Sequence, residues 1–123
     1  MAKTVLYVLG VVLTLVGILG FVLPSPLLGL FTVNTLHSVI HLASGVIFLA
    51  VAWMAPMQAS MTAKIFGVIY GVVAALGLIM GGDMLLGLIA VDMMDHYLHI
   101  ALALVLLCAG FMSKPAMGAA PMA

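Results

Sequence analysis

Charged side chains are almost absent from this sequence of 123 residues. Lysine and arginine together number three, aspartate and glutamate together number three, and the formal net charge is zero. A protein that binds nucleic acid needs a basic surface to neutralise phosphates, and a water-soluble domain needs polar residues to cover its core. The composition therefore excludes a nucleic-acid partner and a soluble fold.

Cysteines and catalytic motifs are equally scarce. The single cysteine, Cys108, lies in an apolar run, so no intramolecular disulfide can form, and we interpret the thiol as a small buried hydrophobe. The chain has no phosphate-binding loop and no paired glutamates, and Ser38 and Ser44 lie in an apolar stretch with nothing to supply an oxyanion hole. The sequence therefore predicts a protein that is not an enzyme.

Hydrophobic residues, in contrast, make up 67% of the chain, and the mean hydropathy is +1.49. A membrane-spanning helix needs about 20 apolar residues, and four stretches qualify: 4–23, 34–53, 62–80 and 92–112. The apolar pieces 27–33 and 84–91 are too short to span, so we expect them to lie at the membrane surface. The predicted fold is an all-α membrane protein, a four-transmembrane-helix bundle with short interfacial segments before helices 2 and 4.

The sequence also contains an internal repeat. Residues 27–41 are echoed by residues 85–99 at an offset of 58, which aligns His41 with His99, and residues 10–20 resemble residues 67–77. We therefore predict one four-helix membrane domain over residues 1–112, built from parallel two-helix repeats at about 4–55 and 62–112, with a cytoplasmic tail at 113–123. Two spans per repeat mean that both copies enter the membrane from the same side.

The three lysines predict how the bundle is oriented. Lys3, Lys64 and Lys114 all fall at the end shared by the two termini and the middle loop, and no basic residue falls at the other end. Because basic residues favour the cytoplasmic side, we expect a multi-pass protein of the bacterial cytoplasmic (inner) membrane with both termini cytoplasmic. All four histidines then belong to the outer half of the bundle.

Polar residues at the starts of helices 2 and 4 are the candidate functional residues. Spacings of three and four residues place on one face of each helix Asn34, His37, His41 and Gly45, and Asp92, Asp95, His99 and Ala103. If these faces line the pseudo-two-fold axis, His37 approaches Asp95 and His41 approaches His99. Gly45 and Ala103 would then let helices 2 and 4 come close.

Two interpretations of these residues remain open, one structural and one functional. In the first, the polar groups make interhelical contacts that fix helix register, through Asn34, His37, His41, Asp92, Asp95 and His99, and Asn34 and Asp92 are also suited to be N-caps. In the second, the side chains bind zinc, copper or iron, with candidate ligands His37, His41, Asp95, His96 and His99. His41 and His99 could instead hold a haem, and a histidine beside a carboxylate could relay protons or sense pH. His96 lies one residue off the shared face and is also expected to face another helix or the outer surface.

Three segments carry a family resemblance. Residues 28–45, with the pattern Asn34-x-x-His37-x-x-x-His41, residues 66–71 and residues 92–99 resemble a family of small bacterial four-helix membrane proteins described only as a domain of unknown function. The resemblance implies fold and membrane placement and brings no activity, substrate or cofactor.

The function that we expect from the sequence is a non-enzymatic small integral membrane protein. It would act as a structural or accessory subunit that packs against a larger membrane complex or self-associates, because its nearly uncharged chain has no extramembrane domain for a partner to grip. The alternative is a metal- or haem-binding four-helix bundle that uses histidines in the outer half of the membrane.

Overall fold

Four long helices dominate the computed structural model, which describes residues 1–25, 29 and 32–113. The helices are α1 (Ala2–Val22), α2 (Thr35–Met54), α3 (Ala59–Met80) and α4 (Met93–Met112), and a 3-10 turn at Pro56–Gln58 leads into α3. Each helix is long and apolar enough to cross a membrane. The fold class predicted from the sequence is confirmed, and the observed helix ends lie within three residues of the predicted spans.

Side-chain caps fix where α2 and α4 begin, as predicted for Asn34 and Asp92. The Asn34 side chain accepts a hydrogen bond of 2.9 Å from the backbone N–H of His37. Asp92 accepts one of 2.9 Å from the backbone N–H of Asp95, whose own carboxylate accepts the N–H of Asp92 at 2.8 Å. Such capping satisfies backbone donors that a helix leaves unpaired in its first turn.

The helices pack most extensively as two pairs, α1 with α2 and α3 with α4. Small residues allow close backbone contact within each pair: a Cβ added at Gly17 would lie 2.6 Å from the backbone nitrogen of Leu42, and one added at Gly67 would lie 2.7 Å from Leu107 Cγ. The expectation that Gly45 and Ala103 bring α2 close to α4 is wrong. Gly45 packs on Thr14 of α1, because the tight contact forms within a helix pair.

Larger apolar side chains fill the space between the two pairs. Leu6, Leu13, Phe48 and Leu106 are almost fully buried there, and Phe48 meets Phe66 edge to face with ring centroids 4.9 Å apart. The outward faces of the four helices remain apolar and exposed. Burial of large side chains inside and apolar surface outside is the arrangement expected of a bundle in lipid.

A β-hairpin precedes α4, in the segment that we predicted to lie at the membrane surface. Strands β1 (Met84–Leu85) and β2 (Ile89–Ala90) pair antiparallel, and Leu86 and Gly87 form the turn with positive φ angles of 53° and 71°. The equivalent prediction for residues 27–33 falls mostly outside the described residues. The predicted tail also lies outside them from residue 114 onward, together with Lys114.

Hydrogen bonds join α4 to α1 and to α3 at the end of the bundle opposite the hairpin. The Ala2 backbone N–H donates to Ser113 Oγ at 2.8 Å, and Ser60 Oγ donates to the Gly110 carbonyl at 2.6 Å. Lys3 and Lys64 therefore share one end, while α2 and α4 begin at the other, here called the histidine end. Cys108, expected to be buried, is exposed on the outward face of α4, because its helical position points away from the buried stripe.

Candidate functional site

Three histidine rings converge inside the histidine end of the bundle. His37 and His41 lie one turn apart on α2, and His99 reaches them from α4. Their ring centroids are 4.4 Å apart for His37 and His41, 5.7 Å for His37 and His99, and 6.2 Å for His41 and His99. Each side chain is at most 2% exposed. The structure thus brings His41 and His99 together and adds His37 to them.

The ring nitrogens are spaced for a metal ion. Among the described residues, His37, His41 and His99 form a group of potential metal ligands. One nitrogen from each ring lies within 4.8 Å of the others. Zinc–nitrogen bonds of about 2.0–2.1 Å in a tetrahedral site would place these nitrogens about 3.3 Å apart. The 4.8 Å limit is wider than this, so the side chains must rotate toward one another for three imidazoles to share one ion.

A backbone carbonyl orients the ring of His37. Its Nδ1 lies 2.8 Å from the carbonyl oxygen of Ala90 in strand β2, and a carbonyl only accepts hydrogen bonds. The Nδ1 atom must therefore carry the proton, which leaves the lone pair of the neutral ring on Nε2. Metal-binding histidines usually donate their second ring N–H to such a partner, so Nε2 is the atom of His37 that can bind an ion.

The remaining nitrogens of the three rings lack protein partners among the described residues. Both nitrogens of His41, Nε2 of His37 and Nδ1 of His99 are buried without a hydrogen bond. A buried polar group left unsatisfied costs about 1–3 kcal/mol. No described residue hydrogen-bonds these atoms, so direct interhelical hydrogen bonds do not account for the burial of His41 and His99.

A small cavity adjoins the three histidines, between α2, α3 and α4. Its volume is about 120 Å³, and its polar lining also includes Ser44 and Tyr70. The Tyr70 hydroxyl donates to Ser44 Oγ at 2.9 Å, and the Tyr70 ring centroid lies 5.7 Å from that of His99. Sequence analysis missed both residues. Ser44 had a signal, since it follows His37 by seven residues and His41 by three, whereas only packing places Tyr70.

The other two predicted ligands lie outside this group. His96 is buried against α3, where a Cβ added at Gly77 would clash with its ring. Asp95 accepts hydrogen bonds from the backbone N–H groups of Asp92 and Thr32, at 2.8 and 3.1 Å. Its carboxylate therefore caps the start of α4 and binds the loop before α2. The structure therefore reduces the candidate ligand set to three imidazoles.

No direct hydrogen bond joins His37 and Asp95, the pair expected to approach each other, and each side chain bonds a backbone group of the other repeat. Across the 58-residue offset, His37 corresponds to Asp95 and Thr32 corresponds to Ala90. His37 bonds the backbone of Ala90, and Asp95 bonds the backbone of Thr32. Each side chain thus contacts the strand or loop that precedes the other helix.

Two more hydrogen bonds, one donated by Asn34 and one accepted by Asp92, join the same loops. Asn34 Nδ2 donates to the Leu88 carbonyl at 3.0 Å, and Thr32 Oγ1 donates to Asp92 Oδ2 at 2.7 Å. Partial burial disfavours the charged form of Asp92, but the hydrogen bonds from the Asp95 backbone and from Thr32 outweigh it and lower the pKa of this carboxyl below its ordinary value. These polar residues stabilise the loops that surround the histidines.

The cavity does not fit a haem held by His41 and His99. Pockets for drug-sized ligands measure about 300–1,000 Å³, whereas the space beside these rings is about 120 Å³. His37 also lies beside both rings, where the macrocycle would have to pass. A single ion with one or two small ligands fits the available volume.

Comparison with known proteins gives a family and no function. The family model described as Domain of unknown function (DUF4383) matches residues 3–112, which is nearly all of the chain. Neither the curated proteins nor the solved structures gave a match.

Proposed function

The chain belongs to the DUF4383 family, and within that family we propose that this small membrane protein binds a divalent transition-metal ion, zinc or copper, through His37, His41 and His99. The observation that carries the proposal is the set of three buried rings, each of which offers one nitrogen within 4.8 Å of those of the other two. Imidazole suits both metals, and no carboxylate or thiolate belongs to the group.

The surroundings of the three histidines support a site prepared for an ion. The Ala90 carbonyl holds His37 in the tautomer that exposes Nε2, and the capped starts of α2 and α4 fix the backbones that carry the rings. Rigid elements that orient ligands raise metal affinity, and loss of such outer partners typically lowers it 10–100-fold. The β-hairpin therefore acts as part of the proposed site.

We place the ion in the outer half of a bacterial cytoplasmic membrane. Lys3 and Lys64 lie at the end of the bundle opposite the histidines, and basic residues favour the cytoplasmic side. In this proposal the protein is non-enzymatic. The structural or accessory role beside a larger membrane complex, expected from the nearly uncharged sequence, stays a prediction.

Metal analysis of the full-length protein in mild detergent tests the proposal. Wild-type protein should retain about one equivalent of zinc or copper after equilibrium dialysis, and His99→Ala should retain little, because two imidazoles rarely suffice. His96→Ser is the matched control. It removes a buried histidine outside the group and introduces the residue found at the equivalent position, Ser38, which also packs on a glycine.

Two results would contradict the proposal. Wild-type protein that takes up no metal across the dialysis series would leave the histidines without the proposed role. Loss of metal in His96→Ser but not in His99→Ala would place the ion elsewhere. A visible Soret band in the purified protein would favour the haem alternative and would contradict the argument from the cavity volume.

A further inference from the structure

The cavity beside the three histidines is lined by both polar and apolar side chains. The polar ones are the histidine rings, Ser44 and Tyr70, and the apolar ones come from α2, α3 and β2, namely Ile40, Phe66, Ile69, Val73 and Ile89. A water molecule occupies about 30 Å³ of the liquid. A cavity of about 120 Å³ is therefore larger than an ion alone requires.

Charge also favours an additional ligand. Three neutral imidazoles leave a divalent ion with its full double charge, and no carboxylate belongs to the group. The Asp95 carboxylate instead accepts hydrogen bonds from the backbone N–H groups of Asp92, at the start of α4, and of Thr32, in the loop before α2. In an environment of low dielectric constant, an uncompensated charge is costly, and a bound hydroxide or small anion reduces that cost.

We propose that an ion bound by His37, His41 and His99 keeps a coordination position open toward the cavity, where it takes an exchangeable water molecule or small anion that Ser44 and Tyr70 hydrogen-bond. This inference rests on the proposed metal site and names its external ligand. Three histidines with one open position is the ligand pattern of zinc sites that exchange a bound molecule, whereas purely structural sites have four protein ligands.

The hydroxyl groups of Ser44 and Tyr70 offer a hydrogen-bond donor and an acceptor to such a ligand. Tyr70 donates its proton to Ser44 Oγ at 2.9 Å, so the Ser44 hydroxyl proton is available to donate to an anion. The lone pairs of the Tyr70 oxygen are available to accept from a bound water. Both side chains are buried, at 3% and 5% exposure, so bulk water competes weakly for these hydrogen bonds.

Cobalt substitution and azide titration test the inference on the full-length protein. Co²⁺ replaces zinc in such sites and reports its coordination through visible absorption. Sodium azide should shift the spectrum of the cobalt-loaded wild type in a saturable way. Ser44→Ala should bind cobalt to the same stoichiometry but bind azide about 10-fold more weakly, since a hydrogen bond to a charged group is lost. Tyr70→Phe, which leaves the Ser44 hydroxyl in place, should weaken azide by less.

The matched control is Tyr97→Phe, which removes a tyrosine hydroxyl from a side chain of α4 that is 57% exposed. It should leave azide affinity unchanged. Circular dichroism of each variant verifies that the helices are retained, and the wild-type titration needs no variant at all.

Each outcome separates this inference from the metal site itself. Cobalt bound at one equivalent with a spectrum insensitive to azide would mean a closed coordination shell, which overturns the inference and leaves the proposed function standing. If the cobalt-loaded wild type showed an intense charge-transfer band that Tyr70→Phe lacked, Tyr70 would be a direct ligand of the ion, which would also overturn the inference. Azide affinity unchanged in both hydroxyl variants would overturn the role of Ser44 and Tyr70. Absence of cobalt binding in the wild type would overturn both proposals.

Discussion

Replacement of His41 by leucine should weaken metal binding and strengthen the metal-free fold. His41 is 1% exposed, and neither of its ring nitrogens has a hydrogen-bond partner among the described residues. Leucine places an apolar side chain of comparable size at the same position and removes both unsatisfied nitrogen atoms. A residue that served only as polar contact between helices would show the opposite sign, because its loss would remove a stabilising hydrogen bond.

The magnitudes follow from the environment of the ring. Each unsatisfied buried polar group costs about 1–3 kcal/mol and leucine removes two of them, so the metal-free variant His41→Leu should be more stable than the wild type by at least about 1 kcal/mol. Binding an ion to the wild type at 100 times its dissociation constant adds about 2.7 kcal/mol. The variant has lost one of three ligands, and we expect its metal affinity to fall more than about 100-fold, since loss of an outer partner alone costs 10–100-fold.

Unfolding in mixed micelles, followed by circular dichroism with and without zinc, measures both effects on the same samples. The wild type should gain stability when zinc is added, and His41→Leu should gain almost none. The reasoning would be refuted if the metal-free variant were less stable than the wild type by more than about 1 kcal/mol, or if zinc stabilised both proteins equally.

Two further predictions concern the framework of the site. Gly17→Ala should destabilise the bundle by about 1–3 kcal/mol, because the added Cβ would lie 2.6 Å from the Leu42 backbone nitrogen. Gly71→Ala should be neutral or slightly stabilising in the same unfolding assay, because its added Cβ would meet Ala103 at an ordinary 3.7 Å. Equal losses of stability in the two variants would contradict the packing argument. The lowered pKa of Asp92 means that its carboxylate stabilises the fold fully above the ordinary aspartate pKa of about 3.9 and loses this contribution as the pH falls through the lowered value. The stability difference between the wild type and Asp92→Asn, which retains a capping side chain, should therefore shrink below about pH 4, and a difference that grew on acidification would rule out this linkage.

Most of the fold could be predicted from local sequence patterns. Apolar runs of about 20 residues fix four spans, because the hydrocarbon thickness sets their length. Asn34 and Asp92 could be assigned as N-caps because a cap depends only on a side chain and the backbone three residues on. The hairpin at residues 84–90 was not predicted, since its two-residue strands are too short to show an alternating pattern.

Predictions that depended on which helices touch were less successful. Gly45 was assigned to a contact between α2 and α4 because it shares a face with His37 and His41. The structure packs it on Thr14 of α1. A glycine permits close approach to any neighbouring helix, so its sequence position does not name the partner.

The sequence by itself determined the number of spans, the presence of histidines at equivalent places in two similar segments, and the concentration of polar residues at the starts of α2 and α4. Composition and spacing suffice for these features because each depends on one element at a time. Only the tertiary structure decided that His37, His41 and His99 converge while Asp95 and His96 turn to other partners. It also decided that Ala90, Ser44 and Tyr70 surround the rings, because the distance between residues on different helices depends on how the bundle packs.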